Sequence, residues 1–492
     1  MTSTPNNSEK VAIEIRQEKA LIRKVDYRLI PWLSFLYLLS FLDRTSIGNA
    51  SLYGLKKDLK ISDQQYLWAL TIFFFSYATF EVPSNVLLKR LKPHLWLSFL
   101  MIAWGIVMTC QGLVKNWKDL MAVRFLLGMA EAGLFPGVSY YLSCWYKRSE
   151  FGLRVAIFFS AATASGAFGG LLAAAISQMH GVGGKPGWAW IFILEGLITV
   201  VAGMMSYWLV EDFPDDAKFL TDRERAFIIG RLQTDDQFSA GGEAFSFKYV
   251  WNSLTDWKTW LGMLCYAGWV GPLYAFALFA PSIINQLGYR ATPANLLSVP
   301  IYVWAAILTV GVGYMADRTG HRGWYNLGFS SLGVVGYAIL IASRHAGLSY
   351  FATYLAASGI YPVIREAWMS NNVEGSYKRS VSLGIIISFG NINGAVSSNI
   401  YRAKDKPWYR LGHTIVLVYI IMGIITSLLF HFFLDRENEK RDRGERDERI
   451  LDRYESEEVA KREHHGMGGT FVSLDEARRE KGDEWSGYRY TL

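Results

Sequence analysis

Apolar runs of about twenty residues recur along this chain between residues 29 and 434, separated by short polar or basic turns. A run of that length crosses a ~30 Å hydrocarbon core as a helix, and lipid leaves the backbone no other way to satisfy its hydrogen bonds. The first half predicts spans near 29–49, 66–88, 95–114, 119–143, 152–176 and 188–210. A polar stretch from Glu211 to Trp257 interrupts the pattern; spans near 259–280, 296–316, 325–342, 349–371, 380–400 and 411–434 follow. The expectation is an all-α membrane protein of twelve transmembrane helices in two six-helix halves, 29–210 and 258–434. Residues 1–28 form a polar tail, 211–257 a central loop and 435–492 a charged tail.

Composition agrees with this pattern. Half of the 492 residues are hydrophobic (51%) and only 19% charged, too apolar for a soluble enzyme or a disordered scaffold. Cys110, Cys144 and Cys265 fall inside or at the edge of apolar runs and read as small hydrophobes, with no disulfide framework. The net charge of +7 lies scattered over short loops and mixed-charge tails, which argues against a nucleic-acid partner. An even number of spans puts both termini on one side. Arg23, Lys24 and Arg28 before the first span, with tight basic turns at Lys89–Arg90, Lys147–Arg148 and Lys378–Arg379, place that side in the cytosol. The first 28 residues are polar and the first apolar run is too long for a signal-peptide core, so the first span reads as its own insertion signal. The 435–492 tail mixes acids and bases densely and reads as a solvated, partly helical extension.

The halves carry related punctuation. GYMADRTGHR at 313–322 and NVLLKRLKPH at 85–94 both join a second span to a third, and Arg90 aligns with Arg318. Matching turns in two six-span halves are the trace of a duplicated transporter. Asp317 opens its turn and is suited to cap it or to pair with a neighbouring Arg, bracing a cytosolic gate; Arg90 and Arg318 belong to the same gate or simply fix topology.

Ionisable residues inside spans are costly and so are functional candidates. Eight stand out: Asp43, Arg44, Glu81, Arg124, Glu131, Glu195, Arg365 and Glu366. Five acids face three bases, and a carboxylate left without a cation in the bilayer takes up a proton, as a proton-coupled carrier requires. Arg124, Gly128, Glu131 and Phe135 share one helical face, with Arg124 and Glu131 roughly 10 Å apart along the axis. That spacing suits one group for substrate and one for a proton; static pairing with other helices is the competing reading. Gly133, Pro136 and Gly137 weaken the same helix. Arg44 can grip a carboxylate with two parallel hydrogen bonds. Asp43 points about 100° away from it and is open to a structural as well as a proton-carrying role. Glu81 is a further proton candidate. Tyr274 beside Pro272, Arg365 after Gly359 and Pro362, and Asn391 complete the expected substrate set, with Arg365 equally suited to cap the gate.

Other chemistries leave no trace. HGVGGKPG at 180–187 lacks the leading Gly and the Ser or Thr of a phosphate loop, and there is no HExxH, CxxC or nucleophile elbow. No enzyme activity, cofactor or metal is expected.

Several segments carry a family resemblance: LDRTSIGNA, RFLLGMAEAGLFPGVSYYLSCWYKRSE, WIFILEG and SFGNINGAVSSNIYRAKDKPWYRLGH. Over residues 25–436 the chain resembles the anion:cation symporters of the major facilitator superfamily, especially the fungal branch of allantoate, nicotinate and pantothenate permeases. The resemblance implies the major facilitator fold and proton-coupled uptake of a small organic anion by a monomer in the lipid bilayer of the plasma membrane. It also implies anion binding at Arg44 and Arg124 and proton coupling at Glu131. Lys89 departs from the superfamily pattern, where Asp is usual. An exporter working by proton antiport and a non-transporting nutrient receptor signalling through the 435–492 tail remain as alternatives.

Overall fold

The structure is a computed structural model that describes residues 7–234, 247–289, 291–362, 364–373, 376–450 and parts of 470–492. Apart from a two-residue parallel strand pair, Arg449–Ile450 with Thr470–Phe471, the described secondary structure is helical. The first half contains α1 (Asn7–Leu52), α2 (Leu55–Asp58), α3 (Asp63–Arg90), α4 (Pro93–Gln111), α5 (Trp117–Glu131), α6 (Leu134–Ser143), α7 (Arg148–Ile176) and α8 (Gly187–Leu209). Two connector helices follow, α9 (Asp222–Thr234) and α10 (Phe247–Thr255). The second half contains α11 (Trp257–Gln286), α12 (Ala291–Thr319), α13 (Arg322–Ala342), α14 (Ala346–Ile360), α15 (Ile364–Asn371), α16 (Ser376–Ser397) and α17 (Arg410–Asp442).

Nine helical stretches among the described residues are long and apolar enough to cross a membrane. The other expected spans are helical too, as α3, α14 with α15, and α16. Local chemistry sets their ends. Ser62 and Gln65 form a reciprocal capping box before α3, Asn116 caps α5 and Pro93 opens α4. The fourth expected span divides into α5 and α6 around Ala132 and Gly133, where the sequence predicts a weak point. The tenth divides into α14 and α15 beside Pro362, whose missing N–H cannot continue the ladder.

Within the halves α4 packs on α8, α1 on α7, α13 on α14, and α11 on α16 and α17. Between them α7 lies along α12 and α3 along α16. Both ends of this seam are closed. At the end shared by α9 and α10, the connector end, Asp317 of α12 sits against α7: a Cβ on Gly152 would lie 2.3 Å from its Oδ1. At the opposite loop end, Asn399 donates to Thr71 Oγ1 at 2.9 Å, and further inward along α16 a Cβ on Gly394 would lie 2.2 Å from the Phe74 ring.

The expectation of a wholly solvated tail is corrected at its far end. Asp483, Tyr488 and Tyr490 are buried against the second half, because aromatic side chains and paired charges there find partners on four helices.

Candidate functional site

α1, α3, α5, α11 and α16 converge at the centre of the seam. Arg44 of α1 lies across its middle, with Nη2 bonded to Glu131 Oε1 of α5 and Nη1 donating to the Tyr274 hydroxyl of α11 at 2.8 Å. Ser40 also donates to Glu131 Oε1, at 2.6 Å. The Tyr274 hydroxyl donates onward to Asn391 Oδ1 of α16 at 2.7 Å, and Asn391 Nδ2 reaches the Glu81 carboxylate of α3 at 3.1 and 3.2 Å. One polar chain thus crosses from the first half to the second and back: Ser40, Glu131, Arg44, Tyr274, Asn391, Glu81.

Aromatic rings enclose this chain. Tyr37, Phe41, Tyr77, Phe159, Trp269 and Tyr274 line the space beside Arg44, together with Asn391. The Arg44 guanidinium carbon lies 4.8 Å from the Phe41 ring centroid and 5.0 Å from that of Tyr77, within cation–π range. The free volume is ≈ 10 Å³, about that of a single water probe, so the site is occluded and a substrate has to part the rings to enter.

Five sequence candidates, Arg44, Glu131, Tyr274, Asn391 and Glu81, meet in this network. The others lie elsewhere. Glu131 is partnered by Arg44, and Arg124 does not line the central space. Arg124 is buried within the first half, 5.9 Å above the Phe73 ring, with Nε and Nη2 lacking a hydrogen-bond partner. Asp43 faces away from the seam, accepting from Thr199 at 3.1 Å, while Glu195 accepts from Ser46. The Arg365, Glu366, Lys89 and Arg90 side chains lie outside the described residues. Asp317 accepts from Arg322 Nη2 at 2.7 Å and from the Leu153 N–H at 2.5 Å; Arg318 is exposed and does not share that contact. Gly166 meets the Tyr302 ring across the seam, a packing role for the small-residue stripe of α7. Apart from Tyr274, the aromatic lining is not singled out by the sequence, because Phe, Tyr and Trp within apolar runs look alike whether they face lipid or the seam.

A paired, occluded centre between two sets of membrane-length helices has the architecture of a membrane carrier. The Major Facilitator Superfamily model matches residues 33–398, and the chain belongs to that superfamily, whose members are transporters and not enzymes. An uncharacterized transporter of Schizosaccharomyces pombe is 35% identical over 91% of this chain and 92% of its own length. The high-affinity nicotinic acid transporter of Saccharomyces cerevisiae is 35% identical over 86% of this chain and 79% of its own. The MFS-type transporter cnsO of Penicillium expansum is also 35% identical, over 90% and 88%. Among solved structures, a bacterial homolog of the human lysosomal transporter Spinster, inward-facing and occupied, shares the fold with a TM-score of 0.59 at 15% identity, covering 83% of this chain and 96% of that one.

Proposed function

We propose that this transporter takes up a small organic anion together with protons, and that a planar monocarboxylate of nicotinate type fits its centre best. The observation that carries this reading is Arg44: a guanidinium at the crossing of the two halves, ringed by aromatic faces, supplies the fork for a carboxylate and the surfaces for a flat ring. The nicotinic acid transporter of S. cerevisiae, 35% identical, supports the same class.

Coupling follows from the competition between two carboxylates for one guanidinium. With Glu131 ionised, Arg44 is engaged. A proton on Glu131 cancels its charge and frees the guanidinium for the substrate carboxylate, so substrate and proton load together and the occluded centre stays near neutral. Release of either favours release of the other. Glu81 is tied to the network through Asn391 and offers a second proton position; Arg124, with Nε and Nη2 lacking a hydrogen-bond partner, offers a second buried guanidinium.

In this reading all twelve expected spans cross the bilayer of the plasma membrane. The connector end faces the cytosol, Asp317 braces the cytosolic gate, and the chain works as a monomer. The test is uptake by a permease-deficient cell of labelled nicotinate, allantoate and pantothenate, with and without an inward proton gradient. Gradient-driven accumulation of a monocarboxylate is expected; outward pumping, or flux indifferent to the gradient, overturns the reading.

A further inference from the structure

Far from the centre, residues 481–492 (KGDEWSGYRYTL) lie in a receptor built by the connector end of the second half. Asp483 is fully buried between two ammonium groups, 2.6 Å from Lys258 of α11 and 2.9 Å from Lys378 of α16. The same two lysines flank Asp256 at 3.0 and 2.9 Å, closing a ring of alternating charge. Beside it, Arg441 of α17 donates to the Tyr488 carbonyl at 2.7 Å and to the Asp483 carbonyl at 3.0 Å, and lies 4.3 Å from the Tyr490 ring centroid. Tyr488 and Tyr490 pack with Trp368, Phe430 and Leu434.

The contacts on α15 matter most. The Trp368 indole donates to the Thr491 carbonyl at 2.8 Å, and the side-chain amide of Asn372, just past the helix, accepts from the Thr491 N–H at 2.8 Å and donates to the Thr491 carbonyl at 3.0 Å. The Tyr488 hydroxyl donates to the Asn371 carbonyl at 2.6 Å. α15 is the detached connector-end piece of a broken span, and it packs against α7 of the first half. The segment therefore ties a gate element to α11, α16 and α17 while the seam is closed.

The receptor is also charged for such an occupant. Without residues 481–492, Lys258 and Lys378 would share the single carboxylate of Asp256, leaving an excess of positive charge at the receptor. An acidic side chain followed by aromatic residues answers both the charge and the apolar wall of the site.

We propose that residues 481–492 are a tethered ligand that docks on this receptor and holds the connector-end gate shut through α15, so that undocking biases the carrier toward opening at that end. The inference rests on the transport reading in taking the centre to open alternately. Its readout needs no substrate, so failure of an uptake assay and failure of this one are distinguishable.

The experiment places a single thiol in the central space by Leu273→Cys, in a chain whose Cys110, Cys144 and Cys265 are replaced by alanine, and follows labelling by an impermeant maleimide from the connector side. Truncation after residue 480 is expected to raise the labelling rate by about tenfold, within the usual range of coupling between sites. Asp483→Asn in the full chain is expected to raise it in the same direction. A synthetic peptide of residues 481–492, added at about millimolar concentration to match the effective concentration of a tether, is expected to restore slow labelling to the truncated chain, and the same peptide with Asp483→Asn is not. An unchanged rate in both the truncated chain and the Asp483→Asn chain overturns the proposal, as does restoration that is indifferent to Asp483. If the truncated chain fails to reach the membrane, the full-length Asp483→Asn chain decides alone.

Discussion

Glu131 is bonded to Arg44 on the neighbouring helix, not to Arg124 two turns along its own helix, and this pairing puts the central guanidinium and its carboxylate partner on one polar chain. Arg44 then reaches the second half through the Tyr274 hydroxyl, 2.8 Å away. Any change at Arg44 is felt on both sides of the seam.

Arg44→Lys keeps the charge and loses the fork that holds Glu131 and Tyr274 together. Substrate affinity is expected to fall by roughly tenfold or more at normal surface expression, read as competition by unlabelled substrate. Arg44→Ala leaves Glu131 buried without its cation, an imbalance worth about 3–5 kcal/mol. A lowered melting temperature in detergent is expected, with partial recovery in the Arg44→Ala, Glu131→Ala double variant because both charges then leave together.

Glu131→Gln fixes the neutral form. Accumulation driven by an imposed proton gradient is expected to collapse, while exchange of internal for external substrate persists; both fluxes are measurable in the same vesicles. Retained accumulation would move the proton site to Glu81 or Asp43. Loss of exchange as well as accumulation would make Glu131 structural.

Two glycines on opposite sides of the seam's centre predict opposite shifts. Gly394→Ala drives a methyl group into the Phe74 ring, a rigid obstacle 2.2 Å away, and is expected to make the central space more accessible from the loop end. Gly152→Ala meets the Asp317 carboxylate at 2.3 Å and is expected to raise access from the connector end, as is Asp317→Asn. Thiol labelling from each side separates the two, and equal rates in all three variants would remove both contacts from gating.

The docked segment is expected to ignore pH at the connector end. Burial alone would push the Asp483 carboxyl up, but Lys258 and Lys378 hold it down at about 2, with Asp256, Arg441 and Tyr490 completing its surroundings. A carboxylate depressed on docking stabilises the docked state fully above its free value of ~4, and that contribution is lost only as pH falls through about 2. The labelling difference between full and truncated chains should therefore be flat between about pH 5 and 8. A difference that vanishes within that window would point to another titrating group at the receptor.

Much of this was legible in the sequence, for identifiable reasons. Span length and charge scarcity gave the helices, and Gly133 and Pro362 marked the two breaks, because backbone chemistry is local. Arg44, Glu81, Glu131, Tyr274 and Asn391 stood out as polar types in apolar runs. Their pairing did not, since partner choice depends on how helices rotate against one another, which no single helix face encodes. Lys378 looked like a topology charge in a basic turn; only the fold brings Asp483 to it, 105 positions away. The segment carrying Asp483 was hidden for a related reason: Trp485, Tyr488, Tyr490 and Leu492 are too few and too far apart to signal a buried element.

The break beside Pro362 has a mechanical consequence. In a continuous helix, the Ile360 carbonyl would be tied to the amide of residue 364, and bending there would cost a rung of the ladder. Here that carbonyl already accepts from the Trp269 indole, and the Tyr361 carbonyl accepts from Thr309 at 3.2 Å. The backbone at the joint is satisfied by α11 and α12 before any motion begins. α15 can swing as a door on a hinge whose pins belong to its neighbours, while α14 stays bedded on α13 like a fixed jamb.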